Sequence, residues 1–222
     1  MTTKRSKSSE RWLARQRKDP FAKKAATQGR VSRAYYKLEQ LDERFGLLRP
    51  GMRVLELGAA PGGWTRYVES RIGGRRGRSA TGLLVAVDFR AVNAAADTVV
   101  IRGTLGTRET AGKIAAALEN SRVDLVLSDM APNITGIRAS DQALAMELLE
   151  LAVVAAQTWL KPGGGFVVKV FQGEGIDGWV RDMRKIFAKF KLVKPPASRP
   201  DSREMYAVGS QFRAPAQFLG DS

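Results

Sequence analysis

Strand-like and helix-like patterns alternate along most of this chain, and that alternation narrows its fold more than any other feature. Met52–Leu57 (MRVLEL), Leu83–Val87 (LLVAV), Asp97–Arg102 (DTVVIR), Val123–Leu127 (VDLVL) and Gly165–Phe171 (GFVVKVF) read as strands. Trp64–Ile72, Arg108–Glu119, Ala139–Leu160 and Gly178–Phe187 read as helices, the long one closed by Lys161-Pro162-Gly163. Ahead of the first strand, Val31, Ala34, Tyr35, Leu38, Leu41 and Phe45 share a helical face within Arg30–Phe45. Lys191–Val193 and Glu204–Val208 supply two last strands. Such an order predicts an α/β fold with a largely parallel sheet covered on both faces. At 222 residues the chain suits one domain with a full core.

In an open α/β sheet, ligands gather at the carboxyl ends of the strands. The first strand runs into Gly58-Ala59-Ala60-Pro61-Gly62-Gly63-Trp64, whose small residues allow close approach of the backbone to a ligand. This is neither G-x-G-x-x-G nor G-x-x-x-x-G-K-[ST], so a dinucleotide fingerprint and a phosphate loop are both excluded. The next strand ends at Asp88, an acid placed to meet a ribose diol. A loop and an acid without a phosphate cradle suit a nucleoside cofactor lacking pyrophosphate, such as S-adenosylmethionine. The plainer alternative is a tight strand-to-helix turn with Asp88 as a cap.

Asp129 follows the fourth strand, and Lys169 interrupts the apolar fifth strand. A buried ammonium needs a partner or gives up its proton. Neighbouring strand ends would bring Asp129 to Lys169. Lys37 on the helix before the first strand and Glu204 at the start of the last complete a set of two cations and two anions. One reading is a structural ion pair; the other is a lysine tuned as a base. The chain has no histidine and no cysteine, which excludes Ser-His-Asp and Cys-His machinery, disulfides and thiolate metal sites.

The formal net charge is +15. Eleven Lys/Arg stand against Glu10 and Asp19 in residues 1–36; further clusters are Arg71, Arg75, Arg76 and Arg78, and Arg181 to Arg203. This distribution suits a polyanionic partner, most simply nucleic acid. Residues 1–29 read as a basic arm, partly helical around Trp12-Leu13, followed by a domain over 30–212 and a tail over 213–222. Trp12, Phe21, Tyr35 and Tyr36 are expected in packing rather than against bases. No run of apolar residues is long enough to cross a membrane. The expectation is a cytoplasmic monomer.

The stretches RWL (11–13), SRAYYKL (32–38), PGMRVLELGAAPGGW (50–64), SDMAPN (128–133), PGGGFVVKVFQGEG (162–175) and SREMY (202–206) resemble the FtsJ/RrmJ family of ribose 2′-O-methyltransferases. The resemblance is greatest to its bacterial branch, which methylates a uridine in the A-loop of 23S rRNA during large-subunit maturation. It implies a Rossmann-like class I S-adenosylmethionine-dependent methyltransferase with seven strands, the last antiparallel. It further implies a tetrad of Lys37, Asp129, Lys169 and Glu204, with Lys169 as general base and no metal. S-adenosylmethionine would contact Gly58, Gly62, Gly63, Trp64, Asp88, Thr104 and Asp129. Thr104 departs from the family, which usually has an acid after the third strand. Two alternatives remain: a tRNA 2′-O-methyltransferase, and a non-catalytic RNA-binding assembly factor.

Overall fold

A computed structural model describes residues 19–73 and 82–214. The elements are α1 (Pro20–Thr27), α2 (Ala34–Phe45), β1 (Arg53–Leu57), α3 (Gly63–Ile72), β2 (Leu83–Asp88), β3 (Val99–Arg102) and α4 (Arg108–Ala117). They continue as β4 (Val123–Ser128), α5 (Arg138–Trp159), β5 (Leu160–Phe171), α6 (Ile176–Ile186), β6 (Phe187–Val193) and β7 (Glu204–Phe212). Seven strands form one sheet in the order β3-β2-β1-β4-β5-β7-β6. β7 runs antiparallel to both of its neighbours, and the pairings among β1 to β5 are parallel. The strand order reverses between β1 and β4, which opens a crevice at their carboxyl ends.

The two-residue period of the strands sorts the interior into two layers. Leu55, Leu57, Val126, Phe166 and Val168 face one core, completed by Leu149, Ala152 and Phe187. Val54, Leu125, Leu127 and Val167 face the other, where α2 and α3 contribute Leu38, Leu41, Trp64 and Tyr67. Lys169 lies two residues beyond Val167. Strand alternation therefore turns it toward the layer of α2, which carries Lys37.

Several boundaries differ from the expected ones. The Lys161-Pro162-Gly163 segment does not close α5; it belongs to β5. Val123 pairs with Leu160 and Leu125 with Gly165, and this irregular register takes up the extra residues. α6 begins earlier, behind Gly175 at φ 85°, and β6 starts at Phe187, whose ring stacks on Phe166 at 5.5 Å. Residues 20–27, expected within the basic arm, form a helix whose Ala25 is buried in the α2–α3 core. Trp12 and Leu13, the arginines at 75, 76 and 78, and residues 215–222 lie outside the described residues. Tyr35 and Tyr36 are buried, as expected of packing residues, with Phe21 against Tyr36 at 5.8 Å.

The loop after β1 is shaped by its own protein contacts. Gly58 has φ 71°, and a Cβ there would lie 2.6 Å from Met130 Cγ. Gly62 has φ 111°, and a Cβ there would lie 2.3 Å from the Asn93 carbonyl oxygen. Both glycines are required by backbone conformation and by close approach. Gly62→Ala should therefore cost about 2–4 kcal/mol of stability, read as a lower midpoint in denaturant unfolding.

Glu56 sits mid-strand in β1, fully buried, and Thr65 Oγ1 donates to its Oε2 at 2.8 Å. Its Oε1 has no partner among the described residues. Burial, reinforced by the negative charges of Asp129 and Glu69 and moderated by Thr65, raises its pKa from 4.5 to about 8. Between these two values the folded protein holds a proton that the unfolded chain has released. Stability from this group is therefore complete below the lower value and falls as pH rises through the window. Glu56→Gln removes the titration. Its melting temperature should gain on the parent by several degrees between pH 5 and pH 8; a constant difference would count against a buried neutral Glu56.

Candidate active site

The four predicted residues converge at the carboxyl ends of β4 and β5. Lys169 Nζ donates to the Asp129 carbonyl oxygen at 2.9 Å and pairs with Asp129 Oδ1 at 2.9 Å. Lys37 Nζ, from α2, pairs with Glu204 Oε1 at 2.6 Å. Both lysines are at most 9% exposed. Two cations and two anions thus occupy one small, partly desolvated volume, where each charge is matched.

Tyr206 links the two pairs and was not evident in the sequence. Across the β5–β7 ladder it stands opposite Lys169. Its hydroxyl donates to Asp129 Oδ1 at 2.7 Å, and Lys37 Nζ lies 5.7 Å from its ring centre. Burial, together with the negative charges of Asp129 and Glu204, pushes its pKa well above 10, so it stays a neutral donor. The signal available beforehand was its position two residues after Glu204 in SREMY, which strand alternation places on the same face.

Electrostatics differ across the tetrad. Burial lowers the Lys37 pKa, helped by the charge of Lys169 and opposed by Asp129 and Glu204. Burial alone would raise Glu204, but Lys37, Lys169 and a hydrogen bond from Ser198 hold it below the usual carboxylate value. Glu204 therefore remains an anion that anchors Lys37.

The segment before β7 is clasped from the other side of the chain. Ala197 N donates to Gln40 Oε1 at 2.8 Å, and Arg33 donates to the Ala197 carbonyl oxygen. Arg33 also pairs with Asp19, a buried carboxylate that caps α1 through Phe21 N and Ala22 N. Arg199 reaches the same carboxylate at 3.2 Å. Arg33 is one of the eleven cations counted in residues 1–36. Its guanidinium is committed to holding the loop that delivers Ser198 and Glu204.

The expected cofactor residues fall into two kinds. Gly58, Gly62 and Gly63 form the turn into α3, whose start has no side-chain cap, so the first N–H groups of the helix are free for a ligand. Trp64 is buried and its Nε1 donates to the Ala34 carbonyl oxygen at 2.9 Å. Its ring packs on Tyr206 at 5.5 Å, leaving only its backbone to a ligand. Asp88 accepts from Ala60 N at 2.9 Å and from Arg90 N at 2.8 Å. It clasps the glycine loop to the end of β2; Oδ1 also accepts from Arg90 Nε at 3.4 Å, and Oδ2 keeps a lone pair for a ribose hydroxyl. Thr104 is exposed after β3, and its carbonyl begins the turn into α4 by accepting from Thr107 Oγ1 at 3.0 Å.

An orphaned atom supports a polar ligand here. Ser128 Oγ, at the carboxyl end of β4, is buried with no partner among the described residues. It lines a small cleft with Met130, Pro132, Val168, Lys169 and Phe171. Among the described residues no group of three or more carboxylates is placed to hold a metal ion. No described helix is long and apolar enough to cross a membrane.

The chain is 45% identical over 209 residues to ribosomal RNA large subunit methyltransferase E of Pseudomonas fluorescens (strain Pf0-1), covering 94% of this chain and 97% of that protein. It is 48% identical over 210 residues to the enzyme of the same name from Stenotrophomonas maltophilia (strain K279a), covering 95% and 97%. In fold it is similar to a crystal structure from Plasmodium falciparum assigned as a ribosomal RNA methyltransferase. The TM-score is 0.71 at 23% identity, over 83% of this chain and 99% of that one. Residues 30–212 match the model of the FtsJ-like methyltransferases, and the chain belongs to that family.

Proposed function

We propose that the chain transfers a methyl group from S-adenosylmethionine to the 2′-hydroxyl of a uridine in the A-loop of 23S rRNA, as part of large-subunit maturation in the cytoplasm. The observation that carries this reading is Lys169. It is an amine in a buried strand, fixed by two contacts to Asp129 and flanked by a second, internally neutralised lysine–carboxylate pair. The curated relatives, by their names, act on large-subunit ribosomal RNA.

S-adenosylmethionine, when bound, supplies a methyl group on a sulfonium, an electrophile that needs no metal activation. The glycine loop and the first turn of α3 would hold it, with Asp88 on its ribose, Thr104 toward its adenine and Asp129 near its amino-acid part. Asp129 is suited to this because both of its side-chain contacts fall on Oδ1, leaving Oδ2 lone pairs for a cation. Lys169, once its ammonium proton has passed to water, would take the proton of the ribose hydroxyl onto its Nζ lone pair, so that the oxygen electron pair could form the new O–C bond as the methyl–sulfur bond breaks and leaves its pair on sulfur. Asp129 and Tyr206 keep Nζ in one place while its charge changes. Lys37, anchored by Glu204, presents a fixed cation to the substrate oxygen. Much of the acceleration is alignment of hydroxyl and methyl.

The basic surface supplies the grip on RNA. Phosphate contacts position a large RNA and carry most of the affinity. Residues 1–18 with Lys23, Lys24 and Arg30, and the cluster from Arg181 to Arg203, would provide them around a monomeric enzyme.

Lys169→Arg keeps a cation opposite Asp129 but removes a base, because a guanidinium does not release its proton. The variant should bind S-adenosylmethionine in a calorimetric titration with parental affinity and lose about 10²–10⁴-fold in methyl transfer. Parental turnover in this variant would remove Lys169 as the base. Mapping ribose methylation with and without the gene tests the substrate: loss of one large-subunit uridine mark is expected, and loss from a tRNA alone would redirect the assignment.

A further inference from the structure

The segment between Asp129 and α5 is a rigid loop that presents apolar side chains to water. Ile134 is 77% exposed and Ile137 66%, the two highest values among the large hydrophobic residues described. Mobility does not account for this display, because the backbone beneath it is pinned. Asp141, nearly buried in the first turn of α5, accepts from Thr135 N and Thr135 Oγ1 at 2.7 Å each and from Gly136 N at 3.2 Å. Ile137 N donates in turn to Thr135 Oγ1 at 3.2 Å. Gly136, at φ 90°, provides the turn between the two isoleucines. Ordering a loop costs conformational entropy, and fixing two exposed isoleucines gains nothing for the fold.

The position of the loop points to its occupant. It leaves β4 directly after Asp129, and its Pro132 lines the same cleft as Lys169. Arg138, exposed at the start of α5, follows Ile137 directly. An apolar tip beside a cation matches a nucleobase beside its phosphate. A 2′-hydroxyl lies on the outer edge of a stacked strand, but Lys169 is nearly buried, so bringing the hydroxyl to it draws the nucleotide out of the stack, and the gap left behind favours an apolar filler.

We propose that Ile134 and Ile137 form a preorganised wedge that packs against the bases flanking the target nucleotide, with Asp141 as its positioning residue. The inference rests on the RNA methyltransferase reading given above. The wedge substitutes for the lost stacking partner and holds the ribose over Lys169. It should matter for structured RNA and contribute little on an unstructured strand.

The test uses the full chain with three substrates: a hairpin carrying the target loop, a short unstructured oligonucleotide of the same sequence, and large ribosomal subunits. An Ile134→Ser/Ile137→Ser double variant should keep the parental melting temperature and affinity for S-adenosylmethionine, because both side chains are exposed. It should lose about tenfold or more in kcat/KM on the hairpin and stay near parental on the oligonucleotide. An Ile134→Met/Ile137→Leu variant should restore the hairpin rate, and Asp141→Asn should give a partial loss. A fluorescent 2-aminopurine beside the target should brighten on binding the parent protein and stay quenched with the serine variant. Parental kcat/KM of the serine variant on the hairpin would overturn the wedge. So would a loss confined to assembled subunits, which would assign the loop to a ribosomal protein. Should the parent chain transfer no methyl to any RNA, the functional reading fails, and the 2-aminopurine comparison still decides whether the loop unstacks bases.

Discussion

The pairing of Lys169 with Asp129 is the constraint from which the rest of the site follows. An ammonium in the middle of a sheet is tolerable only with a matched anion within hydrogen-bond distance. The parallel β4–β5 pairing provides that anion by register: Ser128 stands opposite Val168, so the next residues on the two strands emerge side by side. Removing either partner would strand a charge in a desolvated volume, at a cost of about 3–5 kcal/mol. The second pair, Lys37 with Glu204, lies close enough to be shifted by the charges of the first. Four charges that sum to zero are less costly to bury than any three of them.

Anchoring extends outward from that centre in a traceable order. Tyr206 holds Asp129, Trp64 packs on Tyr206, and Trp64 Nε1 is tied to the start of α2. α2 then returns Lys37 to the centre. On the far side, Ser198 holds Glu204, and Arg33 and Gln40 hold the backbone around Ala197. Asp19 closes this outer ring by capping α1 and accepting both Arg33 and Arg199. Residues more than one hundred positions apart therefore hold the two lysines and their carboxylate partners in one place.

Much of this was legible in the sequence because its causes are local. Alternating strand and helix patterns marked all seven strands, and the strand ends exposed Asp88, Asp129 and Lys169. What escaped was set by tertiary contacts. The early start of β6 depends on Phe187 stacking over Phe166, a partner across two strands. The extension of β5 through Lys161-Pro162-Gly163 depends on an irregular register with β4, invisible to a helix-stop signal. Helix α1 has a mean hydropathy near zero and was absorbed into a basic arm; its capping by Asp19 is what the composition concealed. The glycines of the loop read as room for a ligand, yet at Gly62 the space is filled by the Asn93 carbonyl. Arg33 counted only toward the basic cluster of residues 1–36, because charge alone does not say where a guanidinium points.

The contrast between centre and surface follows from opposite demands on charge. At the site every charge is matched, because partial burial multiplies the cost of an excess. The net +15 must therefore reside outside it, where water screens each charge individually and only a polyanion collects them together. Binding through such a surface is strong and indifferent to sequence. It delivers RNA to the enzyme without choosing a nucleotide. Choice must then come from groups that contact bases or read shape, and these are scarce near the cleft: Arg33 is consumed by the fold, and Trp64, Tyr35 and Tyr36 are buried. The pinned apolar loop after Asp129 is the element beside Lys169 that is both uncommitted and rigid. Matching every charge at the centre and leaving the excess outside keeps the electrostatic requirements of interior and surface from conflicting.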